Sequence, residues 1–250
     1  MTVLDNLPRR IALFTDFGVG GPYIGQMHSI LVDTGLPVID LLSDAPRFDP
    51  RSSAYLLAAL ADSMPKGTLF LSVVDPGVGG ERLPLIVTTS RHWFVGPDNG
   101  LFSQVIRREE SEVKAVSWRP EKLSNSFHGR DLFAPVACML CNDEPVPGSM
   151  VDPQRIAGAD WESDLSRVIY VDHYGNVITG MRAGSLADTD QLQLNGIRVS
   201  YARTFSEVKT GSPFWYDNSF GLVEIAVNQG RADSFFALTP GDPIELVTPH

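Results

Sequence analysis

The chain has 250 residues, 43% hydrophobic and 20% charged, a globular composition longer than one typical domain that excludes a disordered chain. Twenty basic against thirty acidic residues leave a formal charge of −10, which disfavours nucleic acid or an anionic membrane as the main partner. The densest basic stretch, Arg107-Arg108, runs straight into Glu109-Glu110 and reads as a solvated helix end, so a cationic or zwitterionic small ligand fits better. The opening MTVLDNLPRR and IALFT hold no apolar run long enough for a signal peptide. No uncharged stretch approaches the length of a membrane span, and a soluble, cytoplasmic protein is expected. IALFTDFG (11–18) predicts a strand entering a glycine turn, and 21–35 shows helical spacing. PVIDLL (37–42) is the next strand, and Pro50 opens a helix with Asp49 placed to cap it. GTLFLSVVD (67–75), PLIVTT (84–89) and HWFVG (92–96) are strands, and a helix starts at Leu101. This alternation predicts an N-terminal α/β domain over 1–150, with a mostly parallel sheet and helices on both faces.

After Pro145-Val146-Pro147-Gly148 the texture changes. RVIYVD, NVIT, QLQLNGIRVSY, FWY, LVEIAV and PIELVT alternate apolar and polar residues, and Asn195-Gly196 supplies a hairpin turn. A second, smaller all-β domain is expected over 160–250, with 145–160 as linker. The only cysteines, Cys138 and Cys141, form a C-x-x-C inside the apolar helical pattern APVACMLC. No second pair completes a zinc site, so two buried helix thiols are expected.

Ligands of parallel sheets bind at the carboxyl ends of strands. Three candidate sites fall there: Asp16 after IALFT, Asp75 after LFLSVV, and Asp98 with Asn99 after HWFVG. One such aspartate is commonly a cap or turn residue; several on one edge repel each other unless a ligand offsets the cost. In VVDPGVGGER the glycines Gly77, Gly79 and Gly80 make either a tight turn or backbone brought close to a ligand. The loop lacks G-K-[ST], and its Asp75 and Glu81 would repel phosphate. Arg82 is near enough along it to fold back on Asp75. His128, Gly129, Arg130 and Asp131 stand just before a helix beginning near Leu132. A lone histidine is commonly structural, but this one is flanked by glycine at a helix start and titrates near neutral pH. In the second domain, Asp172, Tyr174 and Asn176, and Asn218, Ser219 and Glu224, interrupt apolar β patterns. Hairpin turn chemistry accounts for most of these, while Tyr174 could stack on a planar ligand.

TDFG (15–18), VVDPGVGGER (73–82), GPDNGL (96–101), FHGRD (127–131), DHYGN (172–176) and NSFGLVEIA (218–226) occur in this order. Over nearly the whole chain the sequence resembles the S-adenosyl-L-methionine hydrolases, or SAM hydroxide adenosyltransferases, relatives of the fluorinases and chlorinases. The resemblance implies a C-terminal β-barrel and a homotrimer with sites where one subunit's N-terminal domain meets its neighbour's C-terminal domain. It also implies S-adenosyl-L-methionine as substrate, with no cofactor and no metal. By the same resemblance Asp75, Arg82 and His128 are the hydrolytic set, and Asp16 grips the ribose hydroxyls. Asp172 and Ser219 hold the methionine end, Asn176 contacts adenine, Tyr174 fills the aromatic position of its loop, and Glu224 and Val227 fall in the matching C-terminal stretch. The halogenating relatives look to have tyrosine at positions 75 and 128 and a halide-binding serine at 129. This chain has Asp75, His128 and Gly129. It departs in His173-Tyr174, where a phenylalanine before Gly-Asn is commoner, and in Phe220, where the fluorinase has arginine.

The implied reaction is attack of water on ribose C5′, with the sulfur leaving as a neutral thioether. The enzyme then needs to place a water in line rather than protonate a leaving group. Asp75 can accept from that water, though a carboxylate held by arginine is a poor base, and His128 is the other candidate. A halide-dependent halogenase and a non-catalytic SAM- or nucleoside-binding module are the competing functions.

Overall fold

Runs of buried β-branched and aromatic residues make the strands predicted at 11–18, 67–75, 84–89 and 92–96, while the last two strands of the first sheet, 111–116 and 148–151, are not predicted from the sequence. β1 (Arg10–Thr15) and β3 (Thr68–Val73) are buried along almost their whole length, as expected of strands covered on both faces. Between them lie α1 (Pro22–Leu31), β2 (Val38–Leu42) and α2 (Pro50–Ser63). Asp49 caps α2, its Oδ1 accepting from the Ser52 N–H at 3.0 Å, and Pro50 opens the helix. There follow β4 (Pro84–Thr89), β5 (His92–Pro97), α3 (Ser103–Arg108), β6 (Ser111–Val116), α4 (Ala134–Cys141) and β7 (Gly148–Val151). This computed structural model describes residues 7–247; the opening MTVLDN, weighed above as a leader, and Thr248 of PIELVT lie outside the described residues.

The seven strands take the order β2-β1-β3-β5-β4-β6-β7. β2, β1, β3 and β5 run parallel, β4 runs against both β5 and β6, and β7 runs against β6. β6 therefore points the same way as the parallel four, and the sheet is mostly parallel. One face packs Ile11, Leu13, Leu69 and Leu71 against Met27 and Leu31 of α1 and Val136 of α4. On the other face Phe70 and Phe94 stack at 4.9 Å, with Phe102, just before α3, 5.9 Å from Phe94.

The segment 145–160, expected as linker, is instead part of this unit. β7 is an edge strand held by main-chain pairing to β6 while its side chains face out, so hydropathy leaves no trace of it. A Cβ on Gly148 would come within 2.3 Å of the Ala115 carbonyl. The chain divides into two compact units, Met1–Trp161 and Glu162–His250. Trp161 is fixed to the first: its ring packs on Gly100 and Gly158, and the Arg51 guanidinium lies 5.5 Å over it. Arg107, expected in a solvated helix end, is indeed exposed at the end of α3, and its Nη2 caps the Ala159 and Trp161 carbonyls.

The second unit has two antiparallel sheets. The first comprises β8 (Leu165–Val171), β9 (Val177–Arg182), β12 (Pro213–Asp217) and β13 (Leu222–Val227) in the order β12-β13-β9-β8. The second comprises β10 (Gln191–Leu194), β11 (Ile197–Ser200) and β14 (Glu245–Val247) in the order β11-β10-β14. The Asn195-Gly196 turn forms as expected, with φ of 46° and 84°, the two positive values that a tight hairpin turn requires. One short helix, α5 (Ala232–Phe236), breaks the all-β reading; five residues are too few to show a period in sequence. Isolated bridges join Tyr201 to Trp215 and Arg167 to Pro243. No helix of the described residues is long and apolar enough to cross a membrane.

Candidate active site

β1 and β3 are neighbours in parallel register, Thr15 opposite Val73. Their carboxyl ends therefore coincide, and Asp16 and Asp75 emerge on one edge. Both line a cavity of about 120 Å³, together with Phe17, Phe48, Phe127 and His128. Arg82 folds back across the intervening loop. Its Nε donates to both Asp75 oxygens at 3.0 Å, and its Nη2 makes a further short bond to Oδ2. The same Nη2 reaches His128 Nδ1 at 2.9 Å. One guanidinium thus holds both side chains in a fixed relation, with the Asp75 and Arg82 side chains only 4% and 10% exposed. Arg82 also lies over the Phe133 ring at 5.7 Å.

The loop reaches this shape because of one glycine. Gly79 has φ +84°, and a Cβ there would meet the Asn125 carbonyl at 2.8 Å. His128 precedes a π-helical turn, Gly129–Phe133, that runs directly into α4. Such turns recur at functional sites. Gly129 is confined as well: a Cβ would lie 3.1–3.3 Å from Phe127, Phe17 and Met27.

Burial lowers the His128 pKa from its ordinary value, and the Arg82 charge adds to the effect against a smaller pull from Asp75. The ring is therefore neutral near pH 7. Because guanidinium N–H groups only donate, Nδ1 is the acceptor and the proton resides on Nε2. Burial raises the Asp16 pKa, partly offset by the Phe48 N–H that donates to Oδ2 at 3.1 Å, while the nearby Asp75 charge raises it further.

Asp98 and Asn99, the third strand-end set, do not line this cavity. Asp98 Oδ1 accepts from the Ala157 N–H at 2.9 Å, and Asn99 Nδ2 donates to the Val74 carbonyl at 2.8 Å, pinning the chain just before Asp75. Arg130 pairs with its neighbour Asp131 and with Gln26, and Asp131 in turn accepts from the Ser124 N–H. Cys138 and Cys141, expected as buried thiols, are half-buried on α4, where only part of the apolar helix faces the core. Burial pushes them up to about 11 and about 12, so both are protonated and unreactive at neutral pH. Among the described residues no group of three or more His, Cys, Asp and Glu side chains could hold a metal ion.

The second unit gathers its own polar cluster. In the β8–β9 turn Asp172 accepts from the Asn176 backbone N–H at 2.8 Å and from Nδ2 at 3.0 Å. Gly175 has φ +83°, and Tyr174, at the turn's tip, is 73% exposed. Glu224 and Tyr216 sit directly opposite on β13 and β12, and the Tyr216 hydroxyl donates to Glu224 Oε1. Asn218 Nδ2 donates to Oε2 at 2.9 Å. Ser219 is exposed in the β12–β13 turn, and Val227 is buried at the end of β13.

Residues 11–148 match the model of the SAM hydroxide adenosyltransferase N-terminal domain, and 166–245 match that of the C-terminal domain. The chain belongs to the SAM hydroxide adenosyltransferase family. It is 33% identical to the (R)-S-adenosyl-L-methionine hydrolase of Thermus thermophilus over 96% of this chain and 100% of that one. The (R)-S-adenosyl-L-methionine hydrolase of Salinispora arenicola is 32% identical, over 94% of this chain and 97% of its own. Among solved structures, an uncharacterized conserved protein from Thermotoga maritima superposes with a TM-score of 0.85 at 27% identity, over 95% of this chain and all of that one. A conserved hypothetical protein from Thermus thermophilus gives a TM-score of 0.77 at 32% identity, over 96% of this chain and all of that one.

The structure of this family member adds residues that sequence reading passed over. Phe48 has φ +56°, is 77% exposed, and is tied to Asp16 through its N–H. Nothing local in DAPRFDP marks it. Phe17 and Phe127 meet edge to face at 5.6 Å; both lie within quoted motifs, TDFG and FHGRD, but were given no role there. Tyr216 was readable only through its register opposite Glu224.

Proposed function

We propose that the chain hydrolyses S-adenosyl-L-methionine to adenosine and L-methionine by in-line attack of water on ribose C5′. The observation that carries this reading is the single guanidinium of Arg82 joining Asp75 and His128 at a cavity that also holds Asp16. Two carboxylates at one edge favour a cationic ligand, and the substrate is a sulfonium.

Asp75, Arg82 and His128 are the catalytic residues in this proposal. The water lies against Asp75 and His128, accepting from Nε2–H and donating to the Asp75 carboxylate. As its oxygen bonds C5′, the C5′–S pair passes to sulfur and methionine leaves as a neutral thioether. The attacking water grows strongly acidic as that bond forms. A weak base suffices, and the proton goes to Asp75 and then to solvent. His128 serves as a donor that orients the water, because taking a proton would set an Nδ1–H against the Arg82 guanidinium. The enzyme's contribution is placement and desolvation, with positioned proton transfer adding about 10²–10⁴ in rate.

Asp16 grips the ribose hydroxyls. Asp172 and Ser219 hold the methionine end, Asn176 meets adenine, Tyr174 packs on the ligand, and Glu224 and Val227 belong to the same binding stretch. S-adenosyl-L-methionine is substrate, and no cofactor or metal takes part. We further propose a cytoplasmic homotrimer with sites at subunit interfaces, and a C-terminal β-barrel. The bridges Tyr201–Trp215 and Arg167–Pro243 support the barrel, because they link the two antiparallel sheets at both edges.

The test is purified protein with S-adenosyl-L-methionine in halide-free buffer containing chelator, followed by mass analysis. Adenosine and methionine in equal amounts are expected. Turnover abolished by chelator, or a halogenated nucleoside as main product once chloride is added, would defeat the reading. Light scattering should give a trimer, and a fully active monomer would exclude interfacial sites.

A further inference from the structure

Glu224 is 5% exposed, and no basic side chain pairs with it among the described residues. Its oxygens are held by neutral donors, the Tyr216 hydroxyl on Oε1 and Asn218 Nδ2 on Oε2. Burial raises the Glu224 pKa; Tyr216 and Asn218 work against that rise, and so, to a smaller extent, does the Asn176 amide, which faces the same carboxylate. Asn218 Oδ1 meanwhile accepts from the Phe220 and Leu222 N–H groups at 3.2 and 2.9 Å. One buried carboxylate therefore ties the β12–β13 turn to the β8–β9 turn.

The consequence falls on Asn176. A primary amide has two N–H donors and one carbonyl acceptor. Here the NH₂ group lies between two carboxylates, donating to Asp172 Oδ2 at 3.0 Å and facing Glu224. Turning the amide over would set its carbonyl oxygen against both. The orientation is locked, and Oδ1 is the end of the amide turned away from both carboxylates. Asn176 is itself only 7% exposed, so it offers a ligand a fixed, largely desolvated acceptor.

We infer that Glu224 is a positioning residue: with Asp172 it locks the Asn176 carbonyl oxygen toward the ligand, so that the site takes a 6-aminopurine and rejects a 6-oxopurine. This rests on the reading that Asn176 meets the base of the substrate. In a bound adenine nucleoside the 6-amino group is the only N–H donor on the base, whereas a 6-oxopurine sets a carbonyl oxygen against Oδ1. A buried polar group left unpaired, or faced by its like, is the arrangement that gives strong discrimination.

The test compares kcat/KM for S-adenosyl-L-methionine and for S-inosyl-L-methionine, its 6-oxo counterpart, on the same preparation of full-length enzyme. The ratio of the two is independent of the fraction folded, so a purely structural defect leaves it unmoved. Wild type should prefer the amino substrate by ~100-fold or more. Glu224→Met should lower that ratio about tenfold, the size of one hydrogen bond's discrimination. Glu224→Gln, which keeps an acceptor oxygen for the Asn176 amide, should recover most of it. If Glu224→Met does not fold, Tyr216→Phe applies the same test by loosening the carboxylate, and its ratio should also fall. An unchanged ratio in the folded variant overturns the inference. Wild type that hydrolyses both substrates equally sinks the inference and leaves the hydrolase reading standing. Wild type inert on S-adenosyl-L-methionine sinks both.

Discussion

Replacing Arg82 with methionine removes one guanidinium from three acceptors at once, the two Asp75 oxygens and His128 Nδ1. The Asp75 side chain is 4% exposed, so the change leaves a carboxylate buried without its partner. Breaking a buried ion pair from one side costs about 3–5 kcal/mol. For a unit of this size each kcal/mol shifts the melting temperature by roughly 2–4 °C, so a fall of roughly 6–20 °C is expected. The same change frees the His128 tautomer and the Asp75 rotamer, and kcat should drop by about 10²–10⁴. Thermal melts at pH 7 and steady-state kinetics measure the two effects separately. Adding Asp75→Asn to Arg82→Met removes the orphaned charge, so the double variant should regain most of the stability and none of the activity. A single variant melting within about 2 °C of wild type would refute the buried-pair argument. So would a double variant whose losses simply add.

His128→Gln, which retains an N–H donor, should keep more kcat than His128→Ala; equal losses would favour His128 as the base over its role as donor. Gly129→Ser should destabilise by about 1–3 kcal/mol, since its Cβ meets three side chains at 3.1–3.3 Å, and it should yield no chlorinated nucleoside. A stable, chlorinating variant would show that the aromatic wall yields easily. His92 is 1% exposed, neither ring nitrogen makes a well-formed hydrogen bond, and burial lowers its pKa to about 4. The unfolded chain therefore takes up the proton first, so the contribution is complete above pH 6.5 and is lost as pH falls toward 4. At one pH unit per 1.36 kcal/mol the full loss is about 3 kcal/mol. His92→Leu should remove most of that acid sensitivity from urea midpoints at pH 7 and 4.5, and an unchanged pH dependence would show that His92 does not titrate on unfolding.

The first half of the site was legible because it follows from strand order. Apolar runs ending in Asp16 and Asp75 make two buried parallel strands, and adjacent parallel strands bring their carboxyl ends together. Arg82 could be paired with Asp75 from loop length alone. Phe48 could not be found this way, since its link to Asp16 is a backbone N–H across 32 residues of sequence. Asp98 and Asn99 looked like site residues yet bind backbone, as strand-end aspartates commonly do. β7 escaped because an edge strand is written in main-chain bonds, and Cys138 and Cys141 because an apolar helix does not reveal which of its faces is covered. The Glu224–Tyr216 pair was implicit in the alternation of LVEIAV and FWY, and only the hairpin register places the two opposite each other.

The most direct test of the account is a single-turnover reaction in ¹⁸O-water with the substrate S-adenosyl-L-methionine, reading the adenosine by mass. Attack of water on C5′, oriented by Asp75, Arg82 and His128, predicts one ¹⁸O atom in the 5′-hydroxyl of every adenosine formed, with unlabelled methionine beside it. Adenosine without label, or a 5′-halogenated nucleoside in its place, would contradict the mechanism at its central step.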